Sequence, residues 1–414
     1  MKTDMVYLAK GGFWLTLGQV VATASGLLLV IGFANLVPKD VYGNYKLILS
    51  LAGMLAAFTL TGMGTAVTQA VARGADGVFR TAFWVELRWS ALIVLAALAG
   101  AIYYFVNGNR VIAISLLIVG VCAPIIESTS LYGDFLNGKK DFRTGALYGV
   151  IRGLVPATFI LATICFTQNV ILIVLAYFLS HAATSGALYL LVLKKYRPAR
   201  ETDHSNTAYG KHITLTNAIS IVASNLDKVL VFHYLGAVQL AVYGIAFSLP
   251  AQMKILQKMV GTLAFPKLSS ASLQTVRSEI HHKAQKLLIG SVIVIAIYIA
   301  AAPLIFRLVF PQYIDAVPLS QALALAYVFI PAVLYSQAIF SKKRQREIYM
   351  NKVLAAAARI LLLLVLLPTF GIWGAVYAYF LANAVSFAIS FTIFMRMREG
   401  LPENVSDTPI NDAL

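Results

Sequence analysis

Apolar runs long enough to cross a bilayer recur from one end of the chain to the other. A helix needs about 20 apolar residues to traverse roughly 30 Å of hydrocarbon. On that ruler the runs fall at 11–37, 46–71, 82–106, 111–133, 145–167 and 170–193, then, after a polar stretch, at 213–235, 239–265, 287–308, 316–341, 353–370 and 372–395. The pattern predicts an all-α polytopic membrane protein of about twelve transmembrane helices. Six lie in residues 1–193 and six in 213–395, joined by a cytoplasmic linker at 194–212 (KKYRPARETDHSNTAYGKH) and followed by a tail at 396–414. The first run exceeds the roughly 7–15-residue core of a signal peptide and lacks an A-x-A-like cleavage site, so it reads as a retained span.

Composition strengthens this picture. The chain is 59% hydrophobic and 12% charged, against about 25% charged in a soluble domain. The net charge of +16 would suggest nucleic acid in a soluble protein, but the apolar runs leave no soluble domain to hold it. With the N-terminus inside, the inside segments take the cation clusters, such as Lys139, Lys140 and Arg143, or Lys342, Lys343, Arg344 and Arg346. The outside loops hold only Lys39, Lys46, Arg110 and Arg307. That asymmetry predicts cytoplasmic termini in the cytoplasmic membrane and makes most of the net charge a record of orientation. Cys122 and Cys165 both sit in apolar runs and read as small core residues, with no disulfide framework or metal motif.

The two halves resemble each other. At an offset of 198, Tyr45, Ser50 and Leu51 fall on Tyr243, Ser248 and Leu249; at 203, Tyr132, Lys139, Lys140 and Arg143 fall on Tyr335, Lys342, Lys343 and Arg346. Each match sits at the equivalent junction of its half, which favours duplication over chance. Two six-helix lobes related by an axis along the membrane normal would flank a central cleft.

Charges inside the spans face a cavity, pair, or lie near an interface. Glu86 and Arg88 on the third span and Lys258 on the eighth lie near enough to the inner surface to snorkel. Glu127, Arg152 and Arg359 lie deeper, Lys254 deeper still, and Asp227 with Lys228 deepest. Adjacent helical residues point about 100° apart, so Asp227 and Lys228 do not simply neutralise one another; Asp227 either pairs with a cation on another helix or serves the cavity. Most of the buried cations lie on the inner half, a vestibule suited to an anion and, through guanidinium, to phosphate. Gln19, Thr23 and Ser25 on the first span, and Asn217, Ser220, Ser224 and Asn225 on the seventh, should face each other across the cleft, where amides and hydroxyls suit sugar; helix–helix hydrogen bonding is the ordinary alternative. Pro124, Pro156, Pro250, Pro303 and Pro331 interrupt spans and suggest kinks.

With that layout the chain resembles the polysaccharide-biosynthesis branch of the multidrug/oligosaccharidyl-lipid/polysaccharide exporter superfamily, and within it the O-antigen repeat-unit flippases. The resemblance rests on the length, the 6+6 layout, PKDVYGNY after the first span, FLNGKKDFR after the fourth, and SNLDKVLVFHYLGAVQLAVYGIAFSLP from Ser224 to Pro250. It departs in reading Ala241-Val242-Tyr243 where the first half has Gly43-Asn44-Tyr45. The resemblance implies a non-enzymatic flippase that moves undecaprenyl-pyrophosphate-linked oligosaccharide by rocking of the lobes. It implies no cofactor, exchange against H+ or Na+, and contacts with other membrane proteins of polysaccharide assembly. Arg152, Arg359, Lys254, Lys228 and Arg88 would then hold the pyrophosphate, Gln19, Asn217 and Asn225 the sugars, and Asp227, with Glu127 second, the coupling ion. Three rivals remain. A multidrug antiporter should show a cavity dominated by acids, which this chain does not. Peptidoglycan-precursor flippases usually carry two more helices. A membrane polymerase or ligase would need a large outside loop, and the outside loops here are short.

Overall fold

A computed structural model describes the backbone of residues 2–198, 205–342 and 345–397, and the side chains of all of these except 2–13, 15–17, 205–217, 266–267 and 345–346. No strand occurs among the described residues. The first half comprises α1 (Lys2–Leu36), α2 (Lys39–Leu55) and α3 (Met63–Ala72) around a 3-10 turn at Ala56–Phe58, α4 (Val78–Trp89), α5 (Ala91–Val106), α6 (Arg110–Ser130), α7 (Tyr132–Gly138), α8 (Phe142–Phe166) and α9 (Val170–Tyr196). The second half comprises α10 (Ser205–Ser248), a 3-10 turn at Pro250–Met253, α11 (Lys254–Ser270), α12 (Leu273–Val309), a turn at Pro311–Ala316, α13 (Val317–Leu325), a turn at Ala326–Phe329, α14 (Ala332–Ser341), α15 (Gln345–Phe370) and α16 (Ile372–Arg396).

Among the described residues, ten helical stretches are long and apolar enough to cross a bilayer, and the bent pair Pro311–Phe329 and Ala332–Ser341 adds an eleventh. One of the ten, Ala218–Ser270, is 53 residues long, more than one crossing uses. Its chain reverses at Gly236, where φ 82° and ψ −179° define a conformation open essentially to glycine alone. The side chains report the reversal directly. The Tyr243 hydroxyl donates to Asp227 Oδ2 at 3.1 Å, whereas sixteen residues of straight helix would hold them about 24 Å apart. Counting that stretch as two crossings gives the twelve that the apolar pattern predicts.

The halves share their irregularities. The second span of each breaks, at residues 56–62 and 249–253, and so does the fourth, at Leu131 and at 326–331. Repeated breaks at matching spans support duplication more firmly than the residue matches do. A break exposes backbone donors that need partners; at the first one, buried Glu86 accepts from Leu60 N at 3.1 Å. Glu86 therefore has a structural task. Of the prolines, Pro250 and Pro331 fall at breaks, while Pro124, Pro156 and Pro303 lie within unbroken helices.

Three boundaries differ from expectation. Helix α9 continues to Tyr196 and α10 starts at Ser205, so most of the expected linker 194–212 is helical; residues 199–204, and the tail from 398, lie outside the described residues. The second span begins at Lys39, with Pro38 as its N-cap residue. Lys46 is thus no loop residue: it lies seven residues inside α2, about 10 Å along the axis. An apolar ruler starts a span after its last charge, and a lysine carried within the helix defeats it.

Each lobe packs mainly within itself, α1 on α8 and α6 on α9 in the first, α10 on α15, α11 on α14 and α15 on α16 in the second. The main contact between lobes is α2 against α10. It is close because Gly43 has no side chain: a Cβ there would come within 1.9 Å of the Ala237 carbonyl oxygen. The end of the bundle opposite the cation clusters is tied across the lobes. Asn35 Nδ2 donates to Val309 O at 2.9 Å, Gln312 Nε2 donates to Asn35 O at 3.3 Å, and Lys39 Nζ sits 4.9 Å from the Tyr313 ring centre. Gly43→Val should wedge this end apart. In a chain with Cys122 and Cys165 replaced by Ser, a cysteine pair at positions 35 and 312 should cross-link efficiently with a short bifunctional reagent. The yield should fall severalfold with Gly43→Val and stay unchanged with Gly26→Ala, where an added Cβ meets nothing within 4 Å.

Candidate substrate cleft and buried charge clusters

Between the lobes lies a pocket of about 280 Å³ lined by Thr23, Gly26, Lys46, Lys228, Tyr243 and Gln252, among others. Two lysines from different lobes share it. The Lys46 stem packs over Gly244 and its ammonium lies 5.3 Å from the Tyr42 ring centre. The repeat could have revealed this residue, since the 198 offset pairs Lys46 with Gly244 and leaves a cation with no counterpart.

Asp227, 2% exposed, is the hub of the second lobe. Its Oδ2 accepts from Tyr243 at 3.1 Å and from Arg359 at 3.2 Å, and Lys228 Nζ lies 3.7 Å from Oδ1. The cation on another helix is Arg359. The neighbouring lysine contributes as well, because its flexible stem folds back and also donates to Ser224 O at 3.4 Å; the 100° offset of adjacent residues does not keep them apart. Arg359 lies over the Tyr379 ring at 5.7 Å, and Tyr379 donates to the Tyr327 hydroxyl at 3.2 Å. Below this hub a second cavity, of about 340 Å³, opens among α10, α14, α15 and α16; Ser220, Ser336, Lys352, Arg359, Asn383 and Ser386 are among its lining residues. Lys254, exposed at the start of α11, lies 5.3 Å from the Phe247 ring centre and shares a groove of about 730 Å³ with Lys258, one helical turn on.

The first lobe gathers acids instead. Arg152 on α8 acts electrostatically on Glu127 of α6, Asp134 of α7 and His181 of α9, and Glu127 in turn acts on Glu86. Tyr177 stacks beside His181 with ring centres 4.5 Å apart. Arg152 and Arg359 both lie on the fifth span of their respective lobes, with Glu127 and Asp134 near the first and Asp227 beside the second.

The remaining expected residues scatter. Arg88 is exposed on α4, on the face opposite buried Phe79, Ala82 and Glu86, and so points away from the lobe interior. Gln19 is exposed on α1 and its Nε2 reaches Thr23 Oγ1 at 3.5 Å. Asn225 lies on the lobe contact, donating to Ile221 O at 3.1 Å with its amide against Gly53. Ser25 is buried and spends its hydroxyl on Val21 O at 2.8 Å. Asn217 belongs to α10, but its side chain lies outside the described residues. Thr23 of the first span and Lys228 of the seventh line the interlobe pocket together, while the closest packing between lobes is α10 along α2. Cys122 is buried, while Cys165 is exposed rather than in the core.

Two lobes of six helices are an arrangement that solved structures share. The fold matches a multidrug resistance MATE family transporter of the MOP superfamily in its inward-facing conformation (TM-score 0.75, 15% identity, 93% of this chain and 97% of the other). It also matches the lipid II flippase MurJ in an inward closed conformation (0.68, 12%, 92% and 88%) and a MOP superfamily transporter from Pyrococcus furiosus described as having a binding pocket of reverse polarity (0.59, 15%, 94% and 94%). No curated protein sequence matches. The profile of the polysaccharide biosynthesis protein family matches residues 8–272, more than half the chain, and the chain belongs to that family.

A buried carboxylate that loses its partner is left uncompensated, at a cost of about 3–5 kcal/mol, whereas removing both partners costs much less. Arg359→Met should therefore lower thermal stability in detergent strongly, Asp227→Asn less, and the double variant should recover most of the loss. Additive losses in the double variant would show that the pair is not coupled.

Proposed function

We propose that the chain is a flippase that carries undecaprenyl-pyrophosphate-linked oligosaccharide, an O-antigen or related surface-polysaccharide repeat unit, from the cytoplasmic to the outer leaflet of the inner membrane. Family membership supports a role in polysaccharide assembly. The observation that carries the substrate reading is the charge of the cleft and second lobe: Lys46, Lys228, Lys254, Lys352 and Arg359 against Asp227. A cationic drug would be repelled there, and a pyrophosphate attracted.

In the orientation that the cation clusters favour, with cytoplasmic termini, the tied end faces outward and the Lys254–Lys258 groove lies on the cytoplasmic side. That arrangement suits loading from the inner leaflet. The pyrophosphate passes to Lys46 and Lys228 between the lobes, the sugars occupy the cleft, and the lipid tail stays in the bilayer. Breaking the Asn35–Val309 and Gln312–Asn35 bonds then opens the outer side. Those bonds are between neutral amides, and opening also parts the Lys39 ammonium from the Tyr313 ring.

Coupling is assigned to protons and to the first lobe. Asp227 has its Oδ2 engaged by both Arg359 and Tyr243. Glu127 and Asp134 share the Arg152 guanidinium, with Glu86 acted on by Glu127, and carboxylates crowded in low dielectric cannot all stay charged. Glu127 is the best placed to take up and release a proton, since Glu86 is tied to a backbone break.

In proteoliposomes bearing a fluorescent undecaprenyl-pyrophosphate disaccharide, an imposed pH gradient should drive flipping. Glu127→Gln should abolish the response to the gradient while leaving substrate affinity unchanged. Arg359→Ala, which removes a charged contact of about 1.5–3 kcal/mol, should weaken substrate binding roughly tenfold or more. Gradient-driven uptake of ethidium without glycolipid movement would instead make the chain a multidrug antiporter.

A further inference from the structure

Glu86 is a buried acid with no cation beside it. The residue is 3% exposed; its Oε1 accepts from Leu60 N at 3.1 Å, and its Oε2 is buried with no hydrogen-bond partner. Among the described residues no lysine, arginine or histidine stands within ion-pair distance of it. The charged side chain that acts on it is Glu127, of the same sign. Arg88, two residues on, is exposed on the opposite face of α4, and Arg152 stands with Glu127 and Asp134 instead.

Two hydroxyl oxygens around Glu86 are unspent as well. Ser90 is 0% exposed and its Oγ has no hydrogen-bond partner. Its amide donates to Glu86 O at 2.9 Å, which puts it one helical turn on and on the same face, where such side chains stand about 5–6 Å apart at Cβ. Thr61 Oγ1 is buried and unpartnered too, and Thr61 directly follows the residue whose amide holds Glu86. Neither hydroxyl takes the carbonyl one turn back, the usual outlet for a helical serine and the one that Ser25 and Ser128 use. The three oxygens gather where two broken spans meet: the second, open between Phe58 and Met63, and the third, broken at Ser90.

A lone carboxylate in hydrocarbon has to be neutralised by a proton or by a cation. A proton would cancel the charge and leave the two hydroxyl oxygens unspent, at a further cost. A cation ligated by all three oxygens answers the charge and the hydroxyls together. No group of three or more His, Cys, Asp or Glu able to hold a metal ion occurs among the described residues. A donor set of hard oxygens with one negative charge therefore suits an alkali cation rather than a divalent ion or a transition metal. The breaks can complete its shell, since the end of a helix leaves carbonyls outside the ladder.

We infer that Glu86 Oε2, Thr61 Oγ1 and Ser90 Oγ hold a resident alkali cation that clamps the breaks of the second and third spans together. Bound there, it keeps Glu86 ionised and Oε1 a strong acceptor for Leu60 N. The inference concerns the first lobe alone and does not depend on what the protein carries.

The test uses purified full-length protein in detergent, with sodium or potassium chloride replacing choline chloride at constant ionic strength and pH. Sodium or potassium should raise the melting temperature saturably, by several degrees over choline. Glu86→Gln, which keeps an acceptor for Leu60 N, should abolish that gain. Thr61→Val and Ser90→Ala should each raise the half-saturating concentration severalfold and leave the melting temperature in choline close to wild type, which separates a lost ligand from a lost fold. A gain that survives Glu86→Gln would overturn the inference, because the ion would then sit elsewhere. So would a half-saturating concentration that neither hydroxyl variant changes. A wild-type melting temperature that responds to pH and to neither alkali cation would also overturn it, since a proton would then be what neutralises Glu86.

Discussion

A charge inside a bilayer must be answered by another charge or by water, because hydrocarbon offers neither, and in this chain that constraint centres on Asp227. The carboxylate stands on the first arm of α10, its tyrosine donor on the second arm, and its guanidinium on α15. One residue therefore fixes the hairpin at Gly236 and docks the eleventh span against the seventh. Without the reversal at Gly236, Tyr243 would be carried far from Asp227, and the hub would lose a donor in a place where water cannot replace it.

The same rule governs the backbone. Five spans are broken rather than straight, the third span at Ser90 among them, and a break can leave amides that lipid cannot satisfy. Glu86 answers Leu60 at the first of them. This is a structural use for an acid whose position, judged by depth alone, suited function or snorkelling equally. It also narrows the coupling candidates in the first lobe, since a carboxylate that holds a helix break together cannot change charge freely without disturbing that break.

Much of the architecture was legible in the sequence because hydrophobic length and cation placement are one-dimensional signals. The twelve spans and the six-plus-six division follow from them directly. The site was less legible, because facing is a three-dimensional property. Arg88 and Arg152 were both candidates for the pyrophosphate, yet one points away from its lobe and the other toward an acid cluster. Lys46 was hidden by the apolar ruler, and Lys352 by its nearness to the cation-rich end. Asp227 illustrates both sides. A partner on another helix was one of two readings open to it, while the choice of Arg359, the help of Tyr243 and the folding back of Lys228 depended on how α10 and α15 pack.

Duplication explains why the cleft has two chemically different walls. Both halves carry a guanidinium on the fifth span and a tyrosine at the fourth-span junction. The first half sets Glu127 and Asp134 near Arg152, whereas the second gives Arg359 a single carboxylate and adds Lys228, Lys254 and Lys352. A perfectly symmetric pair would have offered any substrate the same environment on each side and nothing to distinguish the driving ion from the cargo. The acids around Arg152 stand in one lobe, while Lys228, Lys254 and Lys352 join Arg359 in the other. The main contact between the two walls is α2 against α10 at Gly43. The absence of a side chain at that glycine is what allows the lobes to approach so closely there.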